Sequence, residues 1–573
     1  MADSLCLGPS TTCIVNAATE RNIPSIRLTE GNLVQLGYGA RQHRIWTAET
    51  DQTSAIAESI SSDKDLTKSL LQSCGVPVPE GRLVDSPEDA WEAAEDIGVP
   101  VVVKPRDGNH GRGVSTELMH REEVEAAYAL ALVEGSGVIV ERFVRGNEHR
   151  LLVIGGRLVA AARGESASVV GDGLATISQL IDQQINTDPR RGVTEDFPLN
   201  VVLLDDDPAV RLEIARQGFT ADAIPTKGTQ VIIQRNGNVA FDVTDVVHHE
   251  VAAAASLAAR IVGLDIAGID LVAQDISRPL AEQGGAIVEV NAGPGLLMHL
   301  KPAEGKARPV GKAIVDNLFA EGESGRIPIV GISGTNGTTL VAQIVAKLVH
   351  LSGKHVGLAC GDGLYLDQRL VEKRDSATWT AAQKLLMNRN VEAAVIENSA
   401  TTILTEGLGY DRCQVGVVTN IESEKHFGQH YIETHDQVYN VLRTQVDVVL
   451  SDGVAVLNAA DPMVAQMAEL CDGEVIFFAR DFNLPVIEDH LKQGGRAVSL
   501  EADRLVLATG NEKVLLNKLA TIPLLSEKRV SEKHAQKHEA LVEHVLAAVG
   551  AAWALGISPQ LISAGIETFI LSE

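Results

Sequence analysis

The chain has 573 residues, which is more than one hydrophobic core can hold, so we expect roughly two to four domains. Hydrophobic residues make up 45% and charged residues 22%, which is typical of a soluble globular protein. The formal net charge of −27 argues against nucleic acid or an anionic membrane as a partner, because both would be repelled.

Two helices are predicted in the first hundred residues. The first spans residues 63–74 and ends at Gly75. The second lies within residues 85–98, where Ser86 is the expected N-cap and Pro87 the first helical residue. Helical and strand patterns then alternate along the chain, which indicates an α/β fold.

A buried strand is predicted over residues 99–105, and a glycine-rich loop follows it. The strand carries Lys104 near its end, and the loop contains Gly108, Gly111 and Gly113. Glycines let backbone N–H groups approach phosphate oxygens, and a lysine adds a positive charge. The pattern predicts a phosphate-binding loop, although a plain turn has a similar composition.

Two glutamates lie near the next predicted strands, at residues 138–142 and 151–154. Glu141 stands at the end of the first strand, and Glu148 follows seven residues later. The short linker between them offers backbone groups that can read an adenine edge, and a carboxylate can hold ribose hydroxyls. Taken alone, the pair is better explained as two surface glutamates.

Three oxygen donors follow a predicted helix at residues 251–262. They are Asp270, Glu289 and Asn291, and the last two are two residues apart, so on a strand they point to one face. Oxygen donors in this arrangement suit Mg²⁺ shared with substrate phosphates. For any one of these residues a structural role is as probable as metal binding. The three residues together with the lysine and the glycine loop favour an ATP site.

A domain boundary is predicted at residues 319–328, which are glycine-rich and polar. Beyond it the α/β pattern resumes with a strand at 329–332, a helix at 339–351 and strands at 393–397 and 415–419. The expected division is into an N-terminal segment, a catalytic domain and a second α/β domain, at residues 1–62, 63–322 and 323–573.

Residues from about 20 to 320 resemble the ATP-grasp part of the cyanophycin synthetase family. The resemblance lies in the stretches NLVQLGYGARQHRI, KPRDGNHGRGV, VGDG, DPRRG, GLDIAGID and EVNAGPG. It implies ATP and Mg²⁺ as cofactors. The implied ATP-binding residues are Lys64, Lys104, Gly108, His110, Gly111, Gly113, Glu141, Phe143 and Glu148. The implied catalytic residues are Lys104, Arg235, Asp270, Glu289 and Asn291, of which the last three are also the implied metal ligands.

Residues 331–340, GISGTNGTTL, resemble the phosphate loop of Mur ligases. Thr338 replaces the lysine of that loop, which predicts a loss of roughly several kcal/mol of charge stabilisation. The segment 397–404, ENSATTIL, also departs from the Mur pattern, and His426 is all that remains of an expected Asp-His pair. The end of the chain at Glu573 predicts that the C-terminal lobe is missing. We therefore expect a degenerate, truncated Mur-like P-loop domain with a structural or dimer-forming role.

The resemblance is nearest to cyanophycin synthetase 2, the shorter branch of the family. It implies an ATP-dependent ligase that polymerises β-Asp-Arg dipeptides through an acyl-phosphate of the cyanophycin chain's C-terminus, acting as a homodimer. Ser168 stands where the family has a histidine, and the segment after Arg235 is shorter, so the general base and the dipeptide stay open. The alternatives are a ligase of a related dipeptide or amino acid, or a non-catalytic partner of a full-length synthetase.

The six cysteines contain no C-x-x-C pair, which predicts reduced thiols rather than a zinc site or a disulfide framework. The N-terminus, Met-Ala-Asp-Ser, lacks the basic and apolar regions of a signal peptide. The longest apolar stretch, residues 251–273, is interrupted by Arg260, Asp265 and Asp270. We expect a cytoplasmic protein with no membrane or nucleic-acid partner.

Overall fold

The computed structural model describes residues 6–107, 113–192, 197, 199–204, 208–421, 428, 430–525 and 535–570. The chain forms two compact units. Unit 1 comprises residues 1–36 and 43–324, and unit 2 comprises residues 37–42 and 325–573. No helix in the described part of the chain is both long enough and apolar enough to cross a bilayer.

Unit 1 combines antiparallel sheets with flanking helices. Its described strands are β1 (Ser25–Arg27), β2 (Leu33–Leu36), β3 (His43–Trp46), β4 (Glu49–Thr50), β5 (Gly81–Val84), β6 (Val101–Pro105), β7 (Ser115–Leu118), β8 (Val138–Arg142), β9 (Asn147–Ile154), β10 (Arg157–Val170), β11 (Arg191–Gly192), β12 (Leu199–Asn200), β13 (Gln230–Asp242), β14 (Ile266–Ala273) and β15 (Ala286–Ala292). Its described α-helices are α1 (Pro9–Glu20), α2 (Ala55–Ser62), α3 (Lys64–Ser73), α4 (Pro87–Ile97), α5 (Arg121–Glu134), α6 (Ile177–Leu180), α7 (Pro208–Arg216), α8 (His249–Val262), α9 (Leu280–Gln283), α10 (Leu297–Leu300) and α11 (Val310–Leu318).

Two sheets of unit 1 carry the predicted site. One has the order β5-β8-β6-β7 and packs against α4 and α5. The other has the order β13-β10-β9-β14-β15 and is antiparallel throughout. It is covered by α8, because the small residues Ala255 and Ala259 of that helix let it lie close to Leu151 and Ile269 of the sheet.

Local sequence signals set the helix starts in unit 1. Ser86 caps α4 by accepting a 3.0 Å hydrogen bond from the N–H of Asp89, and Pro87 is the first helical residue, as predicted. Asp63 caps α3 in the same way, accepting from the N–H of Leu66 at 3.1 Å. The predicted strand at 99–105 is confirmed from Val101 onward, and the predicted helix at 251–262 begins two residues earlier, at His249.

Unit 2 is built around one large sheet. Its described strands are β16 (Ile329–Ser333), β17 (Val356–Cys360), β18 (Gly363–Leu366), β19 (Arg369–Glu372), β20 (Ala393–Glu397), β21 (Cys413–Val418), β22 (Val449–Asn458), β23 (Glu474–Phe478), β24 (Arg496–Glu501), β25 (Arg504–Thr509) and β26 (Glu512–Lys518). Its described α-helices are α12 (Thr338–Leu351), α13 (Trp379–Leu386), α14 (Ala400–Thr405), α15 (His435–Leu442), α16 (Thr444–Asp447), α17 (Pro462–Gln466), α18 (Pro485–Lys492), α19 (Ala535–Ala554) and α20 (Pro559–Glu567). The strand order is β19-β18-β17-β20-β16-β21-β22-β23-β24-β25-β26.

The middle of this sheet, from β17 to β24, is parallel, and its outer strands are antiparallel. Parallel strands are buried on both faces, which explains their continuous Val, Ile and Ala runs. The carboxyl ends of parallel strands meet at one edge. The loop after β16, Glu397 at the end of β20 and Thr419 after β21 therefore come together.

A buried hydrogen-bond network supports this edge from below. The Tyr410 hydroxyl accepts from Nδ2 of Asn398 at 2.8 Å and donates to Oε1 of Gln445 at 3.0 Å. Nδ2 of Asn398 also donates to Oε1 of Gln445 at 2.9 Å. Burial raises the pKa of Tyr410, which keeps the phenol neutral. A Cβ at position 331 would lie 2.0 Å from the Tyr410 oxygen, so the network requires Gly331.

Replacing Tyr410 with Phe should destabilise unit 2 by about 1 to 3 kcal/mol, because buried polar groups of Asn398 and Gln445 lose a partner. The measurement is the shift in denaturant midpoint at unchanged slope. The matched control is Tyr431→Phe, because Tyr431 is 94% exposed and its hydroxyl is expected to contribute little. Equal midpoints for the two variants would contradict a stabilising role for the network.

Candidate active site

Three neighbouring strands of unit 1 place charged side chains in one row. In the sheet register Arg150 on β9 pairs with Asp270 on β14, and Asp270 pairs with Glu289 on β15. Asn291 lies two residues beyond Glu289 on the same strand, so both side chains project to one face. The fold therefore brings together the three residues that the sequence predicts as metal ligands.

Hydrogen bonds hold Asp270 in place. Nη2 of Arg150 donates to Oδ2 of Asp270 at 2.8 Å, and Nε of Arg150 donates to Oδ1. Nδ2 of Asn291 donates to Oδ2 of Asp270 at 3.0 Å. Loss of solvent around the carboxyl raises the pKa of Asp270, and the Arg150 guanidinium opposes that rise. The carboxylate is thus fixed in orientation by two neighbours.

A third acidic side chain, Glu148, lies beside this row on β9. The residue is exposed, but its carboxyl is crowded by protein atoms, and this desolvation followed by the negative charge of Asp270 raises its pKa to about 7. Glu289 adds to the same repulsion. Carboxylates that repel one another fit a divalent cation, which would relieve the repulsion and is bound by oxygen donors.

Helix α3 presents two lysines to the two sheets. Lys64 and Lys68 are one helical turn apart and share a face. Nζ of Lys64 lies 3.5 Å from Oε1 of Glu289, and Nζ of Lys68 contacts Oε1 of Glu141. The helix therefore places positive charge between the acidic row and the sheet that carries Lys104.

Lys104 and Glu141 form a buried ion pair in the sheet β5-β8-β6-β7. Nζ of Lys104 lies 3.0 Å from Oε2 of Glu141, and their side chains are 10% and 3% exposed. Burial, together with the nearby Lys64 charge, lowers the pKa of Lys104 to about 8. Burial and the Lys104 charge also hold the pKa of Lys68 well below its usual range. Glu141 is thus the shared counter-ion of two desolvated amines.

The structure describes some of the other predicted ATP-site residues but not all of them. Gly113 precedes β7 with a positive φ of 68°, and Phe143 follows β8, where its N–H donates to the carbonyl of Pro100 at 3.0 Å. Arg235 lies on β13, but its side chain is outside the described residues. Three further predicted positions also lie outside the described residues: Gly108, His110 and Gly111.

Two residues of the site were missed by the sequence analysis. Lys68 is the second cation on α3, and its spacing of four residues from Lys64 was a usable signal. Arg150 is the bidentate partner of Asp270, and the two residues are 120 positions apart. Only the order of strands β9, β14 and β15 reveals that pair.

A second glycine-rich loop lies in unit 2, between β16 and α12. Glu397 accepts hydrogen bonds there from Oγ1 of Thr338 at 2.6 Å, from Oγ1 of Thr339 at 2.9 Å and from the N–H of Gly361 at 2.7 Å. Thr338 occupies the position where the Mur pattern has a lysine. The threonine hydroxyl thus satisfies a carboxylate instead of carrying a positive charge to a phosphate.

His544 on α19 covers the same loop. A Cβ at position 337 would lie 1.9 Å from Nε2 of His544, and Gly337 has a positive φ of 79°. Burial lowers the pKa of His544 to about 4, so the ring is neutral. The loop is also held by Thr419, whose hydroxyl donates to the carbonyl of Asn336 at 2.8 Å. His426, the other residue that the sequence analysis named here, lies outside the described residues.

Two family models match the chain. The ATP-grasp domain matches residues 58–154, in unit 1, and the Mur ligase middle domain matches residues 332–502, in unit 2. This confirms the predicted fold class, an α/β ATP-grasp domain followed by a Mur-ligase-like α/β domain.

Similar proteins span most of the chain. A cyanophycin synthetase from Nostoc sp. is 39% identical over 569 residues, which are 98% of this chain and 62% of that protein. The glutathione biosynthesis bifunctional protein of Clostridium perfringens is 31% identical over 300 residues, which are 50% of this chain and 38% of that protein. A bifunctional glutathione synthetase structure from Pasteurella multocida is 28% identical with a TM-score of 0.41, covering 55% of this chain and 44% of that one. The chain thus spans less than two thirds of the length of the cyanophycin synthetases that it matches.

ATP affinity should fall as the pH rises from about 7 to about 9. The pKa of Lys104 is lowered to about 8, so its charge, present below that pH, is lost above it, and a neutral amine attracts phosphate less. The measurement is the dissociation constant for ATP across this range. Lys104→Arg should flatten the dependence, because a guanidinium stays charged. A wild-type affinity that is independent of pH would contradict the assignment of Lys104 to the phosphates.

The chain should bind one ATP, in unit 1 alone. In unit 2 the loop at residues 334–337 has no lysine, is covered by His544 and is followed by Thr338, whose hydroxyl donates to the buried carboxylate of Glu397. Lys104→Met should therefore remove nearly all ATP binding, which equilibrium dialysis with labelled ATP measures. Stoichiometric ATP binding that persists in this variant would show that unit 2 still takes nucleotide.

Proposed function

Because the chain is homologous to cyanophycin synthetases along 98% of its length, we propose that it is an ATP-dependent ligase of cyanophycin synthesis. The finer proposal is that it polymerises preformed β-Asp-Arg dipeptides. One observation in unit 1 supports the ligase activity: Nζ of Lys64 lies 3.5 Å from Oε1 of Glu289 in the donor row of Asp270, Glu289 and Asn291, and the Glu289 charge also acts on the pKa of Lys104. Cations for phosphates and oxygen donors for a metal are the groups that phosphoryl transfer to a carboxylate needs.

The proposed reaction has two steps. In the first, the γ-phosphoryl group of ATP moves to an oxygen of the C-terminal carboxylate of the growing cyanophycin polymer, which gives an acyl-phosphate and ADP. In the second, the amine of the dipeptide attacks the acyl carbon, a peptide bond forms, and inorganic phosphate leaves. The energy of one ATP is thus transferred to one new peptide bond.

The residues of unit 1 have distinct proposed roles in these steps. Lys64 and Lys104 neutralise phosphate charge, and Glu141 keeps the Lys104 amine in position by its 3.0 Å contact. Glu148 is proposed at the ribose and Phe143 at the adenine. Asp270, Glu289 and Asn291 would hold Mg²⁺, which when bound neutralises charge on the phosphates. Arg150 keeps Asp270 in the orientation that the donor set requires.

The glycine loop and Arg235 complete the proposal. Gly113 belongs to the loop that is proposed to cover the phosphates, together with Gly108, His110 and Gly111. Arg235 on β13 is proposed as a further phosphate contact. These assignments rest on the family resemblance of the stretches KPRDGNHGRGV and IIQRNGN.

A single ligase activity is proposed because unit 2 lacks the features of a working phosphate loop. Glu397 is satisfied by Thr338, Thr339 and the N–H of Gly361. Adding aspartate and arginine separately needs two different ligation reactions, whereas joining preformed dipeptides needs one. Unit 2 is then proposed to have a structural role, and the homodimer stays a prediction.

One observation favours a second candidate, a ligase of a related dipeptide or amino acid. Ser168 on β10 stands where the family has a histidine, and its Oγ accepts from Nε2 of Gln230 at 2.8 Å. A short hydroxyl in place of an imidazole changes the size and the proton affinity of that position. If this position faces the substrate, the accepted dipeptide differs accordingly.

The test is ATP consumption with a cyanophycin primer and β-Asp-Arg. We expect phosphate release and polymer growth with the dipeptide, and none with free aspartate and arginine. Glu289→Gln should lower the rate by about 10² or more, because it removes a proposed metal ligand. The matched control is Glu282→Gln, because that side chain is 58% exposed and forms a surface ion pair with Arg278 at 3.3 Å.

Each outcome separates the candidates. Activity with another dipeptide alone would favour the second candidate. Growth from the separate amino acids would refute a single activity. An absence of ATP consumption with every primer and dipeptide, together with unimpaired binding to a full-length synthetase, would favour the non-catalytic partner.

A further inference from the structure

Three side chains that could bind a metal ion, none of them assigned a role above, meet at the start of α8. His248 is the N-cap of the helix, and His249 and Glu250 are its first two residues. One ligand atom from each lies within 4.8 Å of the other two. Within the described residues, no other group of three or more His, Cys, Asp or Glu meets this spacing.

The backbone under these side chains is well anchored. The N–H of His248 donates to the carbonyl of Ile276 at 3.0 Å, and Val251 and Ala255 of α8 are buried in the core of unit 1. The two imidazole rings lie with their centroids 4.3 Å apart at an interplanar angle of 38°. His248 is half-buried, and His249 and Glu250 are exposed, so an ion from solvent has direct access.

Two imidazoles and one carboxylate are a ligand set with a clear preference. Imidazole nitrogen suits Zn²⁺, Cu²⁺ and Ni²⁺, whereas Mg²⁺ prefers an all-oxygen set. Two ligand atoms that share a Zn²⁺ ion at about 2.0 to 2.2 Å lie no more than about 4.4 Å apart. The three ligand atoms lie within 4.8 Å of one another, so a side-chain rotation that shortens the spacing by a few tenths of an ångström would let them share one ion, with water as the remaining ligand.

We infer that His248, His249 and Glu250 form a surface site for one divalent transition-metal ion, with Zn²⁺ the ion that suits it best. This site is separate from the proposed Mg²⁺ ligands and does not depend on the ligase proposal. The negative charge of Glu250 offsets the unfavourable positive end of the helix dipole.

Metal binding has a cost at the helix cap. In the metal-free chain the N–H of Glu250 donates to Nδ1 of His248 at 3.3 Å. Coordination through Nδ1 uses that lone pair directly. Coordination through Nε2 leaves the ring proton on Nδ1, so the cap hydrogen bond is lost in either case.

The experiment is a calorimetric titration of the full untagged chain with ZnCl₂ in excess MgCl₂. Wild type should bind one tight Zn²⁺ per chain. His249→Ala should weaken that binding by about tenfold or more, because one of three protein ligands is lost. His248→Asn should weaken it similarly while keeping α8 capped, because asparagine is a favoured N-cap. Phosphate release should be unchanged in both variants if the ligase proposal holds, and the Zn²⁺ test stands without it.

The matched control is His355→Ala, which removes an exposed imidazole elsewhere. His355 contacts Asp367, with Nδ1 3.0 Å from Oδ2, and this variant should bind Zn²⁺ as wild type does. As a second readout, Co²⁺ should give the visible absorption of a histidine-ligated ion in wild type but not in His249→Ala. The inference is overturned if wild type takes up no stoichiometric Zn²⁺, or if His248→Asn and His249→Ala both bind it as tightly as wild type.

Discussion

The buried Glu141 carboxylate lies between the amines of Lys68 and Lys104, and the charge balance of unit 1 depends on this contact. Two desolvated amines with lowered pKa values share one carboxylate, so an anion bound on this side of the site would favour their charged forms. On the other side, Asp270 and Glu289 stand beside Glu148, whose raised pKa reflects desolvation and an excess of negative charge. A metal–nucleotide complex carries both signs, with anionic phosphates and a cation. The lysines therefore complement the phosphates of such a ligand, and the carboxylates complement its metal ion. Either group of side chains alone would match only one part of the ligand.

Unit 2 shows the opposite electrostatic state at its own glycine-rich loop. This loop follows the parallel strand β16 and opens helix α12, where backbone N–H groups favour anions. The buried carboxylate of Glu397 lies next to that loop and accepts hydrogen bonds from Thr338 and Thr339 at the start of α12 and from the N–H of Gly361 just after β17. This places negative charge where a phosphate would bind and leaves no lysine to offset it. The contrast between the units, rather than either site alone, supports the proposal that the chemistry lies in unit 1.

The sequence predicts local features well, because they depend on near neighbours. The cap at Ser86, the strand that ends near Lys104 and the spacing of Glu289 and Asn291 all depend on residues within one element. The sequence does not predict contacts that depend on strand order. Arg150 meets Asp270 only because β9 and β14 are neighbours, and Glu141 meets Lys68 only because α3 lies between two sheets. His544 covers Gly337 from a helix more than two hundred residues later. The functional roles of the predicted residues also depend on burial and pairing, so those roles remain predictions.

The replacement of lysine by Thr338 is coupled to its surroundings. Glu397 is buried, and a buried carboxylate requires hydrogen-bond donors in place of its lost water. The hydroxyls of Thr338 and Thr339 and the N–H of Gly361 supply the missing donors, so the loop is satisfied without a ligand. Restoring a lysine would return the charge but not the space, because the neutral ring of His544 occupies the position next to Gly337. Two independent changes, one in charge and one in volume, therefore oppose nucleotide at this loop. What unit 2 keeps intact is its large sheet and the helices on both faces, so its contribution to the protein is best sought in those surfaces.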